Sequence, residues 1–132
     1  MDNNNNYKYV LVIGGSGILG KAITKVFKSG NSTWKIHVID FNENEEADKN
    51  IILNKNEKLY CENHLKVIYN SIDKIKYDSI LNVAGSWEGG SINNIEIFEQ
   101  SEKMFNANYF SSLLGFIIVL LSWTSCHKVS TT

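Results

Sequence analysis

The sequence predicts an α/β fold, namely a Rossmann-like doubly wound parallel sheet that is truncated after about four strands. Short apolar runs of strand length alternate with segments whose apolar residues repeat at helical spacing. The first apolar run also leads directly into a glycine-rich turn, and a helical segment follows that turn. Because parallel strands need crossover helices between them, this alternation favours an open sheet with right-handed connections.

Four strands are predicted, at residues 9–13, 34–39, 51–53 and 79–83. The first is almost continuously apolar, as expected for a strand that is covered on both faces of a parallel sheet. A polar, acidic loop is predicted at 41–50, between the second and third strands. The third strand, at 51–53, is expected to be short.

Three helices are predicted, at residues 18–28, 55–76 and 95 to about 121. Apolar residues in the first recur at the spacing of one helical face, and Gly30 is expected to end it. The second carries its apolar residues on one side. The last is too uniformly apolar in its second half for periodicity to distinguish a strand from a helix.

The chain of 132 residues is long enough for one domain, which we expect at 7–112. An Asn-rich tail at 1–6 precedes it, and a divergent apolar segment at 113–132 follows it. The net charge of −1 gives no electrostatic reason to expect nucleic-acid binding. The apolar run 113–121 is shorter than the roughly 18 residues of a spanning helix, so membrane insertion is not expected.

The cysteine pattern predicts free thiols and a cytoplasmic location. Cys61 and Cys126 share no metal or redox spacing, and the first residues carry no secretory signal. The pair Cys126-His127 has no further ligands around it in the sequence. No metal site is therefore predicted.

The turn at residues 14–20 is the strongest functional signal, because it places Gly15, Gly17 and Gly20 in the pattern G-x-G-x-x-G between a strand and a helix. Gly15 would permit the turn, and Gly17 would let the backbone approach a pyrophosphate. Gly20 would let the helix pack closely on the strand. The pattern predicts dinucleotide binding, with a turn of purely structural origin as the alternative.

Asp40 ends the second strand, twenty residues after Gly20. A carboxylate at this point accepts hydrogen bonds from the adenine ribose hydroxyls and repels a 2′-phosphate. All 13 basic residues are lysines, so the sequence has no arginine to receive that phosphate. The predicted cofactor is therefore NAD, with NADH preferred over NADPH.

The fourth strand ends in small residues at 82–85, which include Ala84 and Gly85. Small side chains there would let a ligand approach the carboxyl edge of the sheet, where open α/β folds bind ligands. The alternative is a closely packed strand end. Trp87 follows in a glycine-rich loop, where its ring could stack on a flat heterocycle or pack as part of a lid.

The turn at 14–20, the strand end at 82–85 and Asn108 together resemble the short-chain dehydrogenase/reductases. Within that superfamily, the stretches 12–20, 39–47 and 77–90 are similar to dihydropteridine reductase. The Asn-Glu-Glu-Ala and Gly-x-Trp-x-Gly-Gly elements are not general superfamily features, so the narrower resemblance is specific. It covers residues 7 to about 112 and corresponds to the N-terminal half of that family.

This resemblance implies an NADH-dependent oxidoreductase that transfers hydride to quinonoid dihydropterin and so regenerates tetrahydrobiopterin. It also implies a cytosolic homodimer. Trp87 would face the pterin, and Asn108 would support a proton relay. The implied cofactor-binding residues are Gly14, Gly15, Gly17, Ile18, Leu19, Gly20, Asp40, Ala84 and Gly85.

The superfamily's catalytic Tyr-x-x-x-Lys pair is absent from the sequence, because no tyrosine has a lysine four residues later. In such a pair the tyrosine donates a proton, and the lysine lowers the pKa of the tyrosine. No catalytic residue is therefore predicted beyond a supporting role for Asn108. The expected function is that of a reductase part without its own catalytic pair, and the alternatives are a non-catalytic NAD-binding or dimerisation partner of a full-length reductase and an incomplete product.

Overall fold

The structure is a computed structural model that describes residues 7–30 and 33–126, with side chains as far as residue 122. The predicted tail at 1–6 lies outside the described residues. The Cys-His pair at 126–127 lies beyond the last described side chain. The elements follow in the predicted α/β order. They are β1 (Lys8–Ile13), α1 (Ile18–Ser29), β2 (Trp34–Asp40), β3 (Lys49–Ile52), α2 (Glu62–Ile72), β4 (Ser79–Asn82) and α3 (Ile97–Cys126).

The four strands form one parallel sheet in the order β3-β2-β1-β4. β1 lies inside the sheet, and its register pairs Val10 with Ile36 on one side and with Ser79 on the other. The residues from Val10 to Ile13 are buried, which confirms that β1 is covered on both faces. The carboxyl ends of β1, β2 and β4 consequently meet at one edge of the sheet.

The two faces of the sheet have separate apolar cores. On one face, Val10, Val12, Ile36 and Val38 pack with residues of α1. On the other face, residues of β1, β2 and β3 pack with α2 and α3; this core contains Leu11, Ile13, Ile39, Ile51, Leu53, Ile68, Ile72, Tyr77, Leu114 and Ile118. Helices therefore cover both faces, and the doubly wound arrangement is confirmed.

The prediction of a helix at 55–76 is wrong at both ends, because α2 runs only from Glu62 to Ile72. Residues before it form turns, in which the Asn54 carbonyl accepts the Glu57 N–H and the Asn54 side chain accepts the Asn56 N–H. Such local side-chain acceptors compete with helical hydrogen bonding. After the helix, Lys74 adopts a left-handed conformation with φ of 62°, which ends the helical path.

Helix α3 confirms the helix predicted at 95 to about 121, although it begins two residues later and extends to Cys126. The helix continues through residue 112 without a break, and Leu114 and Ile118 beyond that point are buried in the core. The portion Ile97–Ser122 has a mean hydropathy of 1.7 over its most apolar window, and it is long and apolar enough to cross a membrane. A core helix of a soluble protein can meet the same criteria, and the expectation of no membrane insertion stays a prediction.

One face of α3 exposes large aromatic side chains. Phe105, Tyr109 and Phe116 are each more than half exposed, and Phe105 and Tyr109 stack with their ring centroids 4.8 Å apart. Contiguous exposed apolar surface of this kind is available to a partner. Pairing with a second copy or with a longer relative stays a prediction.

His37 provides a test of the packing on β2. Its side chain is buried, with Nδ1 2.9 Å from the Tyr77 hydroxyl. Burial, together with the nearby positive charge of Lys49, lowers the pKa of His37 from 6.5 to about 4. Between those pH values the unfolded chain binds more protons than the folded chain, so stability decreases as pH falls.

We therefore expect the free energy of unfolding to fall by about 3 kcal/mol as the pH is lowered from 7 to 4 through this group alone. In His37→Gln the side chain still offers a polar partner to Tyr77 but does not titrate. Urea unfolding at a series of pH values should give a shallower pH dependence for the variant. Identical slopes for the two proteins would contradict the assignment.

Candidate functional site

The turn between β1 and α1 begins at Gly14, which has φ of +82°. A Cβ at Gly14 would lie 2.5 Å from the backbone nitrogen of Ala84, so glycine is required both by conformation and by space. The sequence pattern assigned the tight turn to Gly15 instead. Gly15 does not have a positive φ, and its hydrogen atoms face Val38, whose methyl groups would be 2.6 Å from a Cβ.

Gly20 and Gly17 differ in what surrounds them. A Cβ at Gly20 would lie 2.5 Å from the Gly14 carbonyl oxygen and from the Gly15 Cα, so α1 packs directly against the turn. A Cβ at Gly17 would meet only the Gly14 oxygen, at 3.5 Å. Gly17 is also the N-cap of α1 and makes no side-chain cap, which leaves space in front of the helix N-terminus.

Asp40 connects the end of β2 to this turn. Its Oδ2 accepts the Ser16 N–H at 2.8 Å, and its Oδ1 accepts the Phe41 N–H at 2.6 Å. Each carboxylate oxygen has further lone pairs, so the group can still accept hydrogen bonds from a ligand. The arrangement places a carboxylate at the sheet edge beside the glycine turn.

The end of β4 is held by Asn82. Its Oδ1 accepts the Ala84 N–H at 3.1 Å, and its Nδ2 donates to the hydroxyls of Ser111 and Ser112 on α3, both at 3.1 Å. The Val83 N–H donates to the Ile13 carbonyl at 2.9 Å. The strand end and α3 are thus fixed relative to β1.

Asn108 holds the glycine-rich loop that follows β4. Its Nδ2 donates to the Ser86 carbonyl at 3.0 Å and to the Met104 carbonyl one helical turn earlier at 2.8 Å. Its Oδ1 occupies the space that a side chain at Gly85 would need. Asn108 therefore anchors the loop, and its part in a proton relay stays a prediction.

These elements surround a cleft of about 400 Å³ at the carboxyl edge of the sheet. Five of the residues predicted from sequence line it, namely Gly14, Gly17, Asp40, Ala84 and Gly85. Gly15 and Gly20 lie beneath the turn, whereas Ile18 and Leu19 project to solvent. Trp87 is 84% exposed and is not part of the lining, so its contact with a substrate stays a prediction.

No protein-family model matches the chain. Dihydropteridine reductase from Dictyostelium discoideum is 35% identical over 107 residues, which are 80% of this chain and 44% of that protein. A solved short chain dehydrogenase family protein from Francisella tularensis superposes with a TM-score of 0.67 and 28% identity, over 86% of this chain and 45% of that one. This chain is a short-chain dehydrogenase/reductase homologue related to dihydropteridine reductase.

A short-chain dehydrogenase/reductase from Saccharomyces cerevisiae shares the fold, with a TM-score of 0.66 and 21% identity over 86% of this chain and 47% of that one. The chain spans less than half the length of these relatives. The predicted superfamily and the four-stranded Rossmann-like sheet are confirmed. Relatives of this kind imply a nicotinamide dinucleotide cofactor.

Tyr60 also lines the cleft of this short-chain dehydrogenase homologue, although no sequence pattern points to it. It adopts a left-handed conformation with φ of 56°. Burial raises the pKa of Tyr60 to about 12, and the charge of Asp40 contributes to the rise. Tyr60 lies in the segment that the sequence assigned to a helix, where its side chain has no reason to face a ligand.

Glu57, Cys61 and His64 form a cluster of ligand-type atoms, all within 4.8 Å of one another. His64 Nδ1 accepts the Tyr60 N–H at 3.1 Å, so Nε2 carries the ring proton and donates to the Asn54 carbonyl at 2.9 Å. A metal ion bound through Nε2 would break the bond to Asn54. It would also move the ring proton to Nδ1, which could then no longer accept the Tyr60 N–H. His64 therefore holds residues 54 and 60 together through its two ring nitrogens. The absence of a metal site stays a prediction.

The different surroundings of Gly17 and Gly20 generate a paired test. Gly20→Ala should lower the free energy of unfolding by at least about 2 kcal/mol, because backbone atoms at 2.5 Å cannot yield as a side chain can. Gly17→Ala should cost less than about 1 kcal/mol, the range of an altered N-cap. Urea unfolding of the two variants measures both values, and equal losses would contradict the assigned packing.

Proposed function

We propose that this chain binds NADH and forms the dinucleotide-binding part of a dihydropteridine-reductase-type oxidoreductase. The observation that supports this most directly is the cleft, where the glycine turn, the Asp40 carboxylate and the small residues after β4 meet at one sheet edge. Ligands of open α/β sheets bind at this edge. Homology to dihydropteridine reductase supports the same cofactor class.

The residues present fit a dinucleotide. The backbone of Gly17, Ile18 and Leu19 begins α1, and the N-terminus of a helix attracts phosphate through its free N–H groups and its dipole. The absence of a side chain at Gly17 leaves room for the pyrophosphate. Ala84 and Gly85 line the opposite wall without bulky side chains. When bound, NADH supplies the hydride of the reduction.

The proposed preference for NADH over NADPH rests on Asp40. Its carboxylate can accept hydrogen bonds from the ribose hydroxyls and would repel a 2′-phosphate at the same place. The carboxylate is fixed by the N–H groups of Ser16 and Phe41, so it cannot easily turn away from an incoming phosphate. The chain also contains no arginine that could balance such a phosphate.

The proposed substrate of the whole reductase is a quinonoid dihydropterin, with Trp87 on the substrate side. The residues of this chain bind and orient the cofactor, and Asn108 sets the position of the loop that carries Trp87. Proton donation would need a group such as the tyrosine of a Tyr-x-x-x-Lys pair, which this sequence does not contain. We therefore assign binding to this chain and not proton transfer.

Titration of the chain with NADH and with NADPH tests the cofactor proposal. Wild type should bind NADH saturably and NADPH at least about tenfold more weakly, a difference of ~1.4 kcal/mol. Asp40→Asn removes the charge at nearly constant size, so the ratio of the two dissociation constants should approach one. Because the ratio is used, a general loss of stability affects both ligands alike. No binding of either dinucleotide would refute the proposal.

An assay of the same chain with NADH and quinonoid dihydropterin tests the assignment of roles. We expect reduction no faster than the reaction of NADH and pterin without protein, because the sequence contains no Tyr-x-x-x-Lys pair, in which the lysine lowers the pKa of the proton-donating tyrosine. Dihydropteridine reductase from Dictyostelium discoideum is the positive control. Turnover by this chain at the rate of that enzyme would show that its own residues complete the catalytic site.

A further inference from the structure

Asn44 is a buried amide in a loop that is otherwise acidic and solvent-exposed. It lies between β2 and β3 and is 2% exposed, whereas its neighbours Glu43 and Glu45 are exposed. The loop as a whole has the composition of a solvated segment. A buried polar side chain in such a loop requires partners, because an unpaired amide costs free energy away from water.

The side chain of Asn44 has a partner for each polar atom. Its Nδ2 donates to the Gly15 carbonyl at 2.8 Å and to the Thr24 hydroxyl at 2.9 Å, while its Oδ1 accepts the Glu46 N–H at 3.0 Å. Thr24 is fully buried and donates in turn to the Gly20 carbonyl at 2.9 Å. Asn44 is therefore connected to both ends of the glycine turn.

The backbone of Asn44 is held as well. Its N–H donates to Asn50 Oδ1 at 2.9 Å, and its carbonyl accepts from Asn50 Nδ2 at 3.1 Å. Asn50 belongs to β3, which pairs with β2. The loop consequently presents the Asn44 amide from a fixed position on the sheet.

The bond to Gly15 has a geometric consequence for the next residue. The carbonyl of Gly15 and the N–H of Ser16 belong to one planar trans peptide and point in opposite directions. Asn44 holds the carbonyl, and Asp40 holds the N–H at 2.8 Å. The peptide plane is thus fixed from both sides, directly before Gly17 and the start of α1.

We propose that Asn44 is a positioning residue for the phosphate-binding turn: it fixes the Gly15–Ser16 peptide so that the N–H groups that follow face a pyrophosphate. This inference rests on the proposed dinucleotide site. Asn44 touches the turn and not the cofactor, and it is absent from the lining of the cleft. Its effect should therefore fall on the binding of phosphate groups and not on the binding of the adenosine part, which Asp40 would contact.

The test is Asn44→Asp, which keeps the size of the side chain but replaces the Nδ2 donor with an acceptor facing the Gly15 carbonyl. Asn70→Asp on the exposed surface of α2 is the control for the added charge. Calorimetric titration with NADH, ADP and adenosine should show at least tenfold weaker binding of NADH and ADP to the Asn44 variant. Adenosine binding should stay within twofold of wild type, and the control should match wild type for all three ligands.

Amide hydrogen exchange without ligand provides a second, independent readout. The Ser16 and Gly17 amides should exchange at least tenfold faster in Asn44→Asp, while amides of β1 exchange as in wild type. If Asn44→Asp does not fold, Asn44→Ala removes the same donors without charge and carries the same expectations.

Equal weakening of all three ligands, or unchanged exchange at Ser16, would overturn the positioning role and leave Asn44 as a general support of the loop. If wild type binds neither NADH nor ADP, the dinucleotide proposal fails. The exchange measurement then still decides whether Asn44 fixes the turn.

Discussion

The peptide between Gly15 and Ser16 is the constraint on which the cleft depends. Its carbonyl accepts from Asn44 and its N–H donates to Asp40, so two separate segments after β1 determine its orientation. A glycine turn by itself is the most mobile type of backbone, because glycine has the widest choice of conformations. The two side chains remove that freedom where α1 begins, and the helix N-terminus therefore faces the sheet edge in a defined direction.

The sheet makes this arrangement possible because it brings distant segments together at one edge. β1 lies between β2 and β4, and its buried apolar residues hold the three strands in register. Asp40 at the end of β2 and Ala84 after β4 then lie on the two sides of the turn at Gly14. Asn82 and Asn108 add hydrogen bonds from β4 and its loop to α3, so that both walls of the cleft are attached to the core.

The sequence predicted the parts of the site whose signals are local. The glycine spacing and Asp40 can be recognised because each lies at a fixed distance from a strand, and strands are recognised by their apolar runs. Asn44 could not be found in this way, since its partner Gly15 is 29 residues away and its own neighbours are acidic. Tyr60 was missed because side-chain hydrogen bonds of Asn54 and His64 hold residues 54–60 in turns, so that the helix begins only at Glu62, and helical periodicity does not register such bonds.

The double use of Asp40 restricts how this site can change during evolution. A shift of cofactor preference is commonly pictured as the exchange of one acidic residue for a neutral or basic one. Here the same oxygens that would meet the ribose also hold the Ser16 and Phe41 amides. A replacement without acceptors would release the turn as it made room for a 2′-phosphate, so a lineage could change the proposed preference only together with a compensating acceptor.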